Sequence, residues 1–296
     1  MVLLRLLWQV PVALILLVVF LFSMSGYAIS VNSRRTKDVP YILPTAPDFS
    51  AERHVLDIYT PRGKSATGRP VVVFIHGGAW NSGNKNIYWF IGRRLAKQGV
   101  VTVIINYRLS PNVQVPAMAD DCARAVQWVT QHIGGYGGDP NRIFVMGHSA
   151  GGGLAALLAT DTQLFARLGM TKNPVKGAIL DDAAGLDMFG YLTKMEYPGD
   201  ESYLVAYGKV PAVWRTVSPI YFVGASSPPM LVYVGENTYP SILDSSKRFR
   251  QRLQEFGIKH EFATLPGKKH IPMATQLFWK NNIIYRDLLK FVGATS

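Results

Sequence analysis

The stretch from Arg142 to Thr160, RIFVMGHSAGGGLAALLAT, decides how the rest of the chain is read. Arg142–Met146 is a short run rich in β-branched and aromatic residues that stops at a glycine, the mark of a buried strand. Ala150–Ala159 is a run of small and aliphatic residues of helical length. Between them stands Gly147-His148-Ser149-Ala150-Gly151, a G-x-S-x-G motif. Glycine and serine are common, so the five residues alone say little. A strand that turns directly into a helix around such a serine is the setting of a nucleophile elbow. The sharp turn strains the backbone of Ser149 and pushes its hydroxyl outward, and the flanking glycines remove side chains that would clash. The helix N-terminus behind Ser149 favours a developing oxyanion.

Outward from this point, strands and helices alternate. Val55–Tyr59, Pro70–Ile75, Val100–Asn106, Val175–Leu180, Met230–Val234 and His260–Leu265 read as strands. Ile87–Gln98, Ala117–His132, Ser241–Phe256 and Thr275–Phe291 read as helices. Such alternation predicts an α/β fold, a mostly parallel, doubly wound sheet with helices on both faces. Residues 188–227, rich in Tyr and Trp, interrupt the rhythm after the sixth strand and are expected to form a cap-like insertion over the sheet's C-terminal edge. Such an insertion is either a packed connection or a lid and substrate wall. Residues 34–50 are polar with prolines and read as a linker, which leaves 51–296 as the catalytic-type domain.

Lys and Arg number 31 and Asp and Glu 19, a net charge of +12, but no run of five basic residues occurs and nucleic-acid binding is not expected. With a single cysteine, Cys122, the chain forms no internal disulfide and no cysteine-based zinc site. From Leu6 to Ser33 there is no charged residue, and Val12–Phe22 is wholly apolar. This segment is long enough to span a bilayer. It predicts an N-terminal transmembrane helix within residues 1–33 and a single-pass membrane protein. A signal peptide cleaved near Ala28-Ile29-Ser30, giving a secreted or periplasmic product, is the alternative.

His76-Gly77-Gly78-Ala79-Trp80 follows the strand Pro70–Ile75. Paired glycines let backbone amides of Gly77 and Gly78 face outward, where with the amide of Ala150 they form an oxyanion hole. A serine nucleophile needs a base. Of the six histidines, only His270 sits in a loop after the last strand, at the edge where such a sheet keeps its active site.

These stretches together resemble the α/β-hydrolase superfamily. Within it the chain is similar to the HGG-motif esterases: the carboxylesterase and feruloyl esterase group, the arylformamidases and the prenylcysteine methylesterases. The matching segments are HGGAWNSGNK (76–85), NYRLSP (106–111), GGDPNRIFVMGHSAGG (137–152), SPPMLVYVGEN (227–237) and PGKKHIPM (266–273). The resemblance implies an ester or amide hydrolase without a cofactor or metal. It also implies the chain order Ser, acid, His, with the acid usually an Asp three residues after the glycine of LVYVG. That position is Thr238, which carries no charge. Glu236, on the same loop, is the first choice for the acid and Asp187 the second, while Asp181 and Asp182 are read as structural. The leading expectation is a serine hydrolase that cleaves small-molecule carboxylic esters through an acyl-enzyme. An arylformamidase-like amide hydrolase and a non-catalytic hydrolase-fold binding protein are the alternatives.

Overall fold

The β-branched runs stack side by side into one sheet because each carries apolar side chains toward both faces. In the computed structural model, which describes residues 33–294 apart from 64, 66 and 197, the strands are β1 (Ser33–Pro40), β2 (Val55–Pro61), β3 (Arg69–Ile75), β4 (Val101–Ile105), β5 (Gly138–His148), β6 (Val175–Asp181), β7 (Met230–Gly235) and β8 (His260–Leu265). Their order is β1-β2-β4-β3-β5-β6-β7-β8. The β1–β2 and β2–β4 pairs are antiparallel and all the others parallel.

Helices α1 (Trp89–Lys97), α2 (Val115–His132), α3 (Ala150–Thr160), α4 (Gln163–Ala166), α5 (Met188–Lys194), α6 (Leu204–Tyr207), α7 (Pro211–Thr216), α8 (Pro240–Glu255), α9 (His270–Thr275) and α10 (Ile283–Phe291) flank the sheet. Alternation along β3 shows how two cores arise. Val71, Val73 and Ile75 pack with Val126 of α2 and Leu154 of α3, while Val72 and Phe74 pack with Ile91 of α1 and Leu288 of α10. Six parallel strands, β3 to β8, end on one edge. The loops leaving that edge bring residues far apart in sequence together.

Three expectations about the chain's organisation are corrected. No helix among the described residues is long and apolar enough to cross a membrane. Even α2, with 18 residues, carries Asp120, Asp121 and Arg124. The transmembrane helix expected within residues 1–33 lies, up to residue 32, outside the described residues, and Ser33 already opens β1. The supposed linker also begins as a strand. Its polar side chains are satisfied across the sheet edge, where Arg35 Nε donates to the fully buried Asp57 at 2.8 Å and the buried Lys85 ammonium lies 2.9 Å from the other oxygen of Asp57. The final helix is broken: α9 ends at Thr275, a 3-10 turn follows, and α10 starts at Ile283.

Candidate active site

Ser149 lies between the end of β5 and the start of α3 with φ of 56° and ψ of −126°, a conformation that costs a non-glycine residue of order 1–3 kcal/mol and persists only where its surroundings enforce it. Here they do. A Cβ on Gly147 would come within 2.1 Å of the Gly151 carbonyl oxygen, and one on Gly151 within 2.1 Å of that of Ile75, so strand, turn and helix approach as closely as backbone can. The Ser149 carbonyl accepts from the amides of Gly152 and Ala184, both at 2.9 Å, and its amide donates to the Asp181 backbone carbonyl at 3.2 Å. The loop after β3 lies against the same turn: a Cβ on Gly77 would meet the His148 carbonyl oxygen at 2.8 Å and Ser149 Cβ at 3.1 Å. The Gly78 carbonyl is pinned by the amides of Asn81 and Ser82 and by the Ser82 hydroxyl. Tyr88 stands half-buried near this loop, and burial raises the pKa of its phenol.

His270 opens α9. Its Nε2 is 2.8 Å from Ser149 Oγ and its Nδ1 is 2.6 Å from Asp182 Oδ2. Asp182 is fully buried. Its Oδ1 accepts from the Gly235 amide at 2.8 Å, and its Oδ2 also accepts from the Thr238 hydroxyl. Asp182 follows β6 directly and has a left-handed φ of 48°, which lifts its carboxylate off the strand and across the end of β7. His148 Nε2 lies 3.1 Å from the His270 carbonyl and its ring packs 4.8 Å from the His270 ring. Burial, with the His270 charge adding to it, pushes the His148 pKa down to about 4, so this ring is neutral near pH 7.

The serine opens into a cleft of about 980 Å³. One wall comes from the insertion after β6, including Met188, Tyr191 and Tyr203, and another from Tyr239, at the start of α8, and Ile271. Trp80, from the loop after β3, forms the floor and packs edge-on against Tyr203 and Tyr207. Among the described residues no group of three or more His, Cys, Asp or Glu is placed to hold a metal ion. The arrangement can therefore move a proton from Ser149 Oγ to His270 and hold negative charge against backbone amides.

The BD-FAE family profile matches residues 56–253. The chain belongs to the BD-FAE family. It is 31% identical over 242 residues to the isoprenylcysteine alpha-carbonyl methylesterase ICME of Arabidopsis thaliana, covering 76% of this chain and 55% of the relative. It is 29% identical to the kynurenine formamidase of Danio rerio, covering 90% of this chain and 87% of that one. The structure superposes on a truncated carbohydrate esterase from gut microbiota with a TM-score of 0.74 at 25% identity, covering 88% of this chain and 96% of that one. The chain spans about half the length of the curated methylesterases it matches.

Against this BD-FAE frame, the structure brings together Ser149, His270 and the loops bearing Gly77, Gly78 and Ala150. It does not bring together the expected acids. Glu236 points away, its Oε2 accepting from the Gly267 amide at 2.7 Å, and so pins the loop that carries His270. Asp187 caps α5, accepting from the Gly190 amide at 2.8 Å, and pairs with Arg248 and the Tyr221 hydroxyl. It lines the cleft without reaching His270. Asp182, read from sequence as structural, is the carboxylate at the imidazole. The available signal was its place immediately beyond β6, at the same edge as Ser149, combined with an uncharged residue at 238.

Proposed function

We propose that the chain is a serine hydrolase that cleaves carboxylic esters through an acyl-enzyme. The observation that carries this reading is the continuous hydrogen-bonded line from Ser149 Oγ through His270 to Asp182 at the floor of a cleft. Ser149 Oγ attacks the ester carbonyl while His270 Nε2 takes its proton. Asp182 holds the Nδ1–H tautomer and stabilises the imidazolium. The tetrahedral oxyanion is met by the amides of Gly77, Gly78 and Ala150. His270 then protonates the leaving alcohol, and a water attacking the acyl-enzyme by the same route releases the acid. Asp182 also removes the argument for a non-catalytic binding protein, which rested on the missing charge at position 238.

The names of the relatives support ester chemistry, and the formamidase makes an aryl formamide the second substrate to assay. The test is labelling by a fluorophosphonate together with turnover of short-chain and aromatic p-nitrophenyl esters and of a formanilide. Wild type should be labelled and active on esters, and Ser149→Ala neither. In subtilisin, loss of the nucleophile lowers kcat by about 10⁶. Turnover by Ser149→Ala near that of wild type would overturn the assignment, and turnover of the formanilide alone would move it to the amide class.

A further inference from the structure

We infer that Thr238 is a positioning residue for the reaction, whose hydroxyl fixes the acid that the fold delivers from β6 in the place where it can serve His270. The inference rests on the serine-hydrolase reading above.

The geometry is specific. Two hydrogens converge on Asp182 Oδ2, one from His270 Nδ1 at 2.6 Å and one from the Thr238 hydroxyl, while Oδ1 is held by the Gly235 amide at 2.8 Å. Both protein donors other than the histidine come from the end of β7 and the loop just after it. The Thr238 amide itself donates to the Gly235 carbonyl at 3.3 Å, so the threonine is fixed by a turn of that loop. Asp182 is fully buried and Thr238 is only 8% exposed, so water does not readily replace a lost hydroxyl. A carboxylate arriving on a residue with left-handed φ, from a strand one position removed, has no local element to aim it. The β7 loop does the aiming. Without the Thr238 proton, Oδ2 keeps one partner and the carboxylate can rotate about its Cβ–Cγ bond away from Nδ1. His270 then spends more time in the tautomer that cannot take the serine proton.

The same contact has a second consequence. Thr238 Oγ1 and His270 Nδ1 share one partner atom, so they are separated by no more than two hydrogen-bond lengths. An aspartate at 238 extends one atom beyond the threonine oxygen and can reach Nδ1 itself. Positions 182 and 238 are therefore alternative anchors for one carboxylate.

Steady-state kinetics on a p-nitrophenyl ester test this, with thermal melting to register folding and Ser149→Ala as the control for the underlying reading. Thr238→Val should lower kcat about tenfold or more with KM within about threefold of wild type, and Thr238→Ser should recover most of the loss. Asp182→Asn/Thr238→Asp should exceed Asp182→Asn by at least about tenfold. A Thr238→Val enzyme within about twofold of wild type overturns the inference. So does a loss that Thr238→Ser does not repair, or one that appears in KM instead of kcat. Should Thr238→Val fail to fold, Thr238→Ser and the double exchange decide, and a double exchange no better than Asp182→Asn overturns the inference. Turnover by Ser149→Ala would instead fell the serine-hydrolase reading, whatever the Thr238 variants do.

Discussion

Replacing Asp182 by Asn separates the acid at β6 from the two carboxylates the sequence favoured. The change is nearly isosteric, and the surroundings dictate how the amide sits. The Gly235 amide donates to Oδ1 at 2.8 Å, so the side-chain carbonyl of Asn must occupy that place. The NH₂ then faces His270 Nδ1 and the Thr238 oxygen, where Oδ2 stood. The Thr238 hydroxyl can rotate to accept one of its hydrogens. Nδ1 can accept the other only when unprotonated, which moves the ring proton to Nε2, the nitrogen that must take the proton of Ser149. The same exchange in trypsin costs about 10⁴ in kcat, or about 5.4 kcal/mol of barrier. The environment of Asp182, fully buried and with its other oxygen occupied, leaves no cheaper arrangement. The assay is kcat on one good p-nitrophenyl ester, beside Glu236→Gln and Asp187→Asn, with thermal melts for all three. We expect Asp182→Asn to fall by 10³ or more while the other two stay within about threefold. A loss below about tenfold in Asp182→Asn, or a larger one in either of the others, refutes the assignment.

Gly77→Ala places a Cβ 2.8 Å from the His148 carbonyl oxygen and 3.1 Å from Ser149 Cβ, so the loop after β3 must retreat from the serine. A fall in kcat of about 10² is expected, the usual cost of one misplaced oxyanion donor, and wild-type kcat in a folded variant would show that the loop does not contribute. Stability should also respond to acid through His148 and His76, whose pKa values burial pushes from 6.5 down to about 4. The unfolded chain binds protons that both folded rings refuse, so their contribution is full above pH 6.5 and is lost as pH falls toward 4. Between pH 7 and pH 5 each ring should account for about 2 kcal/mol of lost unfolding free energy in urea titrations. His148→Gln should flatten that slope, and an unchanged slope would count against the buried, neutral ring.

Some features of this chain are legible residue by residue. The elbow at Ser149 is one, because a strand, a positive-φ turn between glycines and a helix are all encoded within a few consecutive positions, and the clash distances at Gly147 and Gly151 explain why those positions admit nothing else. The buried strands are another. Runs such as PVVVFI and VVTVII carry apolar side chains on both faces, and that pattern alone places them inside a parallel sheet. His270 follows from elimination among the histidines and from chain order. What the chain could not declare locally is which acid meets that histidine. Glu236 and Asp187 occupy loops of the right kind, yet the Gly267 amide takes one and the start of α5 with Arg248 takes the other. Asp182 reaches His270 only because its left-handed backbone lifts it from β6 across β7, where Gly235 and Thr238 receive it. The polar segment 33–40 posed the same problem. Its strand exists because Asp57 and Lys85, distant in sequence, supply the partners for its charged side chains. Local backbone chemistry is written in neighbouring residues. The direction of a carboxylate and the pairing of a polar edge strand depend on groups that only the folded sheet brings within hydrogen-bonding distance.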